Sequence, residues 1–179
     1  MHKVLDFIKK NKQFSFFLLL VILLALITIF APVIAPQDPY ASDLKNALQP
    51  PSSAHWFGTD KLGRDIFSRV IYASRSSLPA TLILVVLIFA IGTLLGTLAG
   101  YFGGWIDAVI MRISDMMISF PGMVLAIAVA GIMGASVKNA VIAVAVVSWP
   151  KYARLARSLV MKIRHEDYIY AAIVTGSKT

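Results

Sequence analysis

No charged residue occurs between Ser76 and Ile106, and none between Phe14 and Gln37. Runs of that length and apolarity leave backbone N–H and C=O groups no water to bond, so the chain must satisfy them internally, which in lipid means helices or a closed barrel. The runs are continuous rather than alternating, which selects helices. About 20 residues at 1.5 Å each cross a hydrocarbon core of roughly 30 Å. Composition points the same way, with 58% hydrophobic and 15% charged residues against about 45–50% and about 25% in soluble domains. The fold class expected is therefore all-α, a polytopic membrane protein. The chain has no cysteine, so disulfides and thiolate metal sites are excluded.

The net charge of +8 is unevenly spread. Residues 1–13 carry +3, from Lys3, Lys9, Lys10 and Lys12 against Asp6, and residues 150–179 carry +4, leaving +1 between. Basic blocks beside apolar runs mark cytoplasmic flanks of membrane helices, so the charge implies a lipid bilayer and no nucleic acid. The expected localisation is a multi-pass plasma membrane protein with a cytoplasmic N-terminus. The segment 36–76 then lies outside, the loop near Asp107 and Arg112 inside, the Gly134 turn outside, and the chain beyond about Arg157 inside. The outer segment holds five basic residues and four acids, Asp38, Asp43, Asp60 and Asp65. Its orientation therefore rests on the parity of helices joining the two basic ends.

Four spans are expected. The first covers 14–35 and reads as an uncleaved span, because its apolar run exceeds a typical signal-peptide core and its exit, APVIAPQ, lacks a small-residue cleavage pattern. In the outer segment, Pro36, Pro39, Pro50 and Pro51 disfavour regular structure. Leu62, Ile66, Val70 and Ala73 then recur at helical spacing, predicting a surface amphipathic helix near 60–75 with Thr59 as its N-cap and Asp60 in its first turn. The core, 77–179, carries spans at about 78–101, 116–137 and 139–160. Gly92, Gly96 and Gly100, at four-residue spacing, give one face of the second span over to close helix packing. The fourth run has few uncharged residues before Lys151, so it must include Lys151, Arg154 and Arg157, which snorkel or face protein.

Catalytic constellations are lacking in the sequence. His2, His55 and His165 have no carboxylate or second histidine at metal-ligand spacing, no acid sits within an apolar run, and neither Ser119 nor Ser148 has a histidine near it. The terminal Gly176-Ser177-Lys178-Thr179 fails the phosphate-loop pattern, since Ser177 separates glycine from lysine and Ala171 stands where the earlier glycine is needed. The chain is expected to be no enzyme, with no catalytic, cofactor-binding or metal residues.

HWFGTDKLGRDIFSRVIYASRSSL, at 55–78, resembles the segment before the second span of the inner-membrane permease subunits of dipeptide, oligopeptide and nickel ATP-binding-cassette importers, of the type with an extra N-terminal helix and a long outer loop. FAPVIAPQDP, ISFPGMVLAIA and VSWPKYARLARSLVMKIRHEDYIYAA are similar to the same family at the same relative positions. The signature residues are Phe57, Gly58, Thr59, Asp60, Gly63, Arg64, Asp65 and Arg69.

The resemblance implies a six-helix permease fold and a cytoplasmic coupling loop of pattern E-A-A, three residues, then G. Ala171, Ala172 and Gly176 match it, Tyr170 stands in place of the glutamate, and Glu166 and Asp167 lie a turn earlier. It further implies a second permease subunit, two ATP-binding subunits on which ATP is bound and hydrolysed, and an extracytoplasmic solute-binding protein. Against six spans this chain offers four, which reads as truncation within the coupling loop and would leave helix faces uncovered, Gly92, Gly96 and Gly100 among them. The expected function is peptide import across the bacterial plasma membrane. The alternatives are nickel or metal-chelate import by the same family, or a non-transporting membrane interaction partner.

Overall fold

The computed structural model describes residues 10–176, the side chains of Tyr170, Ala172 and Ile173 excepted. The basic block up to Lys9 and the last three residues of the GSKT sequence thus lie outside the described residues. The regular elements are helices: α1 (Lys12–Ile29), α2 (Ala31–Ile34), a 3-10 turn at Leu44–Asn46, α3 (Ile66–Phe102), α4 (Gly104–Ser119), α5 (Gly122–Met133), α6 (Val137–Arg164) and α7 (Asp167–Val174). Among the described residues the only sheet-like pairing is an isolated bridge between Thr59 and Asp65. The chain divides into two compact units, one up to Pro79 and one from Ala80 onward.

In the first unit α1 is apolar on every side and has no buried residue. Such a helix has no core-facing stripe to hide, which is the pattern of a helix surrounded by lipid or by other membrane helices. Phe30 and Pro32 break it from the single turn of α2. The loop that follows folds back on the first turns of α3 around His55, Thr59, Asp65 and Ser68, all buried.

Residues 60–65 are loop, not the start of a separate surface helix. Helix begins at Ile66 and continues without interruption through Pro79 to Phe102, 37 residues in all. Its length, about 55 Å at 1.5 Å per residue, is nearly twice the hydrocarbon thickness of about 30 Å. Arg69, Arg75 and Pro79 all lie within this one helix, where the sequence suggested two.

The second unit differs from expectation at Pro121. A straight third span over 116–137 is replaced by α4 and α5, which meet at 94°. Phe120, at φ −89° and ψ 145°, is extended, as the residue before a proline prefers. The apolar helix therefore starts at Gly122. At its far end Asn139 Nδ2 donates to the carbonyls of Met133 (2.6 Å) and Gly134 (3.0 Å), closing the turn into α6. Pro150 sits inside α6 and is fully buried. The core of this unit is dominated by small residues, Ala99, Ala143, Ala145 and Ala153, with Ile88 and Trp149.

Two described helices, α1 and α3, are long and apolar enough to cross a membrane, and three qualify if the bent α4–α5 pair is one span. The expected count of four requires α6, whose C-terminal half carries Lys151, Arg154 and Arg157.

Candidate functional site

The loop before α3 is organised by two aspartates. Asp65 is the N-cap of α3: its Oδ2 accepts from the Ser68 backbone N (2.8 Å) and from Ser68 Oγ (2.7 Å), and its Oδ1 lies 3.1 Å from His55 Nδ1. Ser68 Oγ in turn accepts from the Gln37 backbone N at 3.2 Å. Burial raises the Asp65 pKa, but the bonds from Ser68 and His55 outweigh it and hold the carboxyl below its ordinary value. Asp60 turns the chain. Its Oδ1 accepts from the backbone of Leu62 (2.8 Å) and Arg64 (3.1 Å), and its Oδ2 accepts from Arg64 Nε at 2.8 Å, with Arg69 Nε 3.5 Å away. The Arg64 bond is the main cause of a pKa lowered to about 2.

Gly58 and Gly63 both have φ above +70°, a conformation costly for residues with a Cβ. A Cβ at Gly63 would also meet the Asp43 carbonyl carbon at 2.5 Å. Phe57 and Trp56 pack on Phe67, with ring centroids 5.2 and 4.7 Å apart. All eight signature residues thus fall in one loop and the first turn of α3.

Two expectations are corrected here. Thr59 does not cap a helix; its Oγ1 accepts from the Gln49 backbone (2.8 Å) and donates to the Asn46 carbonyl, pinning the proline-rich stretch. His55 does not stand alone, since Asp65 is its partner. A separation of ten residues across a loop left no periodic signal for that pair.

The second cluster joins α3, α4 and α6. Gly92, Gly96 and Gly100 are buried against α6. A Cβ at Gly92 would lie 2.5 Å from Tyr152 Cβ, one at Gly96 2.8 Å from Ala156 Cβ, and one at Gly100 2.9 Å from Val160 Cβ. The face expected to be left uncovered is therefore filled by α6 of the same chain. Arg157 forms a two-pronged pair with Asp107, and Arg154 pairs with Asp115, both joining α6 to α4. Arg164 Nη1 donates to the Tyr101 carbonyl at 2.7 Å, at the C-terminal end of α3. These partners are 39 to 63 positions apart, beyond the reach of any spacing rule.

The coupling-loop candidates follow directly. His165 ends α6 and Glu166 bridges to α7, its carbonyl accepting from Ile169 N at 2.9 Å. Asp167 begins α7, which carries Tyr170, Ala171 and Ala172, and Gly176 stands beyond it with φ +96°. Glu166, Asp167, Ala171 and Gly176 are exposed; the side chains of Tyr170 and Ala172 lie outside the described residues.

Helices too apolar for water, with arginine–aspartate pairs joining α6 to α4, define a polytopic all-α membrane protein. The family described as the inner membrane component of binding-protein-dependent transport systems matches residues 92–179, and the N-terminal transmembrane domain of oligopeptide transport permease C matches residues 2–51. The dipeptide transport system permease protein of Alkalihalophilus pseudofirmus is 45% identical over 171 residues, covering 96% of this chain and 56% of that protein. A probable D,D-dipeptide transport system permease protein of Escherichia coli is 48% identical over 158 residues, 88% of this chain and 53% of the relative. The nickel transport system permease protein of Escherichia coli is 39% identical over 160 residues, 89% and 58% respectively. The chain belongs to this family of transport-system inner-membrane permeases. It spans about half the length of the curated relatives it matches.

Proposed function

We propose that the chain serves as a permease subunit of an ATP-driven importer of peptides in the bacterial plasma membrane. It acts with a second permease subunit, two ATP-binding subunits and an extracytoplasmic solute-binding protein, and its N-terminus is cytoplasmic. In this reading α1, α3, the α4–α5 pair and α6 are the four spans. The segment from Glu166 to Gly176 receives the movement of the ATP-binding subunits.

The observation that carries the proposal is the attachment of α6. A helix seated on three glycines and tied by Arg154 and Arg157 to α4 moves as one body with its neighbours, and α7 begins three residues after it ends. Force applied at α7 therefore has a stiff route to α3 and α4. Peptide is favoured over nickel as cargo by the higher identity to the two dipeptide permeases than to the nickel permease.

The test is uptake of a labelled dipeptide, and in parallel of nickel, by cells carrying the complete transporter. Dipeptide uptake with ATP hydrolysis stimulated by the solute-loaded binding protein is expected. Charge reversal of both Glu166 and Asp167 to lysine is expected to abolish that stimulation while the subunit remains in the membrane. Unchanged stimulation in the double variant would remove α7 from the coupling role, and nickel uptake without peptide uptake would replace the cargo.

A further inference from the structure

The first turns of α3 and the loop before it form a hollow that the transport reading leaves unused. Pro39, Tyr40, Arg69, Tyr72, Arg75 and Ser76 line a concavity of about 530 Å³. Its lining includes two arginines, two tyrosines and a serine, and no acidic residue. Arg69 is anchored, with Nη1 donating to the Pro39 carbonyl at 3.3 Å. The acid nearest to it, Asp60 at 3.5 Å, is already engaged by Arg64 at 2.7 Å.

Arg75 has no carboxylate partner among the described residues. Its guanidinium lies over the Tyr72 ring, 5.7 Å from the centroid, and Tyr72 meets Tyr40 edge-on at 6.2 Å. Stacking occupies the face of a guanidinium and leaves its N–H edge for a bidentate oxyanion. Asp38, in the adjoining hollow, accepts from the Tyr40 backbone at 2.8 Å.

The depth of the site identifies its ligand. Arg75 is the last charge before the uncharged stretch 76–106, the kind of position in the sequence that basic residues take at headgroup level. Tyr40 and Trp56 are exposed in the same unit, the residue types that gather at headgroup level. The oxyanion concentrated at that level is the lipid phosphate. We propose that this hollow binds the phosphodiester of an anionic membrane lipid, with Arg75 and Arg69 holding the phosphate oxygens and the Tyr40–Tyr72 pair flanking the headgroup.

The purified protein, exposed in detergent to equal amounts of phosphatidylglycerol and phosphatidylcholine, is assayed for retained lipid by native mass spectrometry. Preferential retention of phosphatidylglycerol is expected, and Arg75→Gln should reduce it about fivefold, the effect of one basic residue at a membrane surface. Lys61→Gln, an exposed cation outside the hollow, should leave retention unchanged. Because Arg75 is exposed and bonded to no acid, its replacement should not shift the melting temperature. Equal losses in the two variants, no loss in either, or no preference between the two lipids would overturn the proposal. Displacement of the lipid by millimolar inorganic phosphate would reassign the hollow to free phosphate and overturn the lipid assignment.

Discussion

Asp65 is 2% exposed and accepts three hydrogen bonds, two from Ser68 and one from His55. Its replacement by alanine removes the cap of α3 and takes away the carboxylate that buried His55 and Ser68 both bond, a loss of about 2 kcal/mol or more. Thermal unfolding in detergent checks this, and Asp65→Asn, which keeps a side-chain acceptor at the cap, should cost less. Asp60 supplies a pH prediction. Its folded pKa, about 2, lies below the ordinary 3.8, so the stability it contributes is fully present above about pH 4 and is lost as pH falls toward 2. The Arg64 Nε–H resonance should stay constant from pH 7 to about 4 and move below that. Movement near neutral pH would show that Asp60 does not hold this arginine.

Helix contacts decide the next level. The glycine face of α3 lets α6 approach until a Cβ at Gly96 would be 2.8 Å from Ala156 Cβ. Gly96→Leu forces the two helices apart and is expected to destabilise by about 1–3 kcal/mol, the range for overpacking. Gly131→Leu is the control, because nothing lies within 4 Å of its added Cβ. A second contact is the Asp107–Arg157 pair. Removing Arg157 leaves a half-buried carboxylate without its partner, so Arg157→Leu should be more damaging than Arg157→Leu combined with Asp107→Leu. Thermal melts of the four forms give that comparison. The spacing of Gly92, Gly96 and Gly100 was legible as a packing face because a four-residue interval stays on one side of a helix. The helix that fills it was not legible, since α6 is about 50 to 60 positions away in the chain.

At the scale of the whole molecule, membrane orientation is the testable quantity, and the lack of cysteine makes the chain suited to it. Single cysteines at Ser53, in the loop before α3, and at Lys162, near the end of α6, should behave oppositely. Cys in place of Ser53 should react with an impermeant thiol reagent in intact spheroplasts, and Cys in place of Lys162 only after permeabilisation. The reverse pattern would invert the proposed topology. The same pair of variants, made in the complete transporter, reports whether ATP-binding subunits shield the exit of α6.

Apolar run length and the distribution of lysine and arginine were enough to establish an all-α membrane protein, and the motif at 55–78 carried the resemblance to its family. These depend on local composition, and lipid imposes its constraint on every consecutive stretch. The continuity of α3 through Pro79, the 94° bend at Pro121 and the pairing of His55 with Asp65 and of Arg157 with Asp107 were settled only by the folded chain. Each joins residues distant in sequence or depends on what packs around a proline. A buried charge takes whichever partner the packed helices bring within reach, and linear spacing does not carry that information.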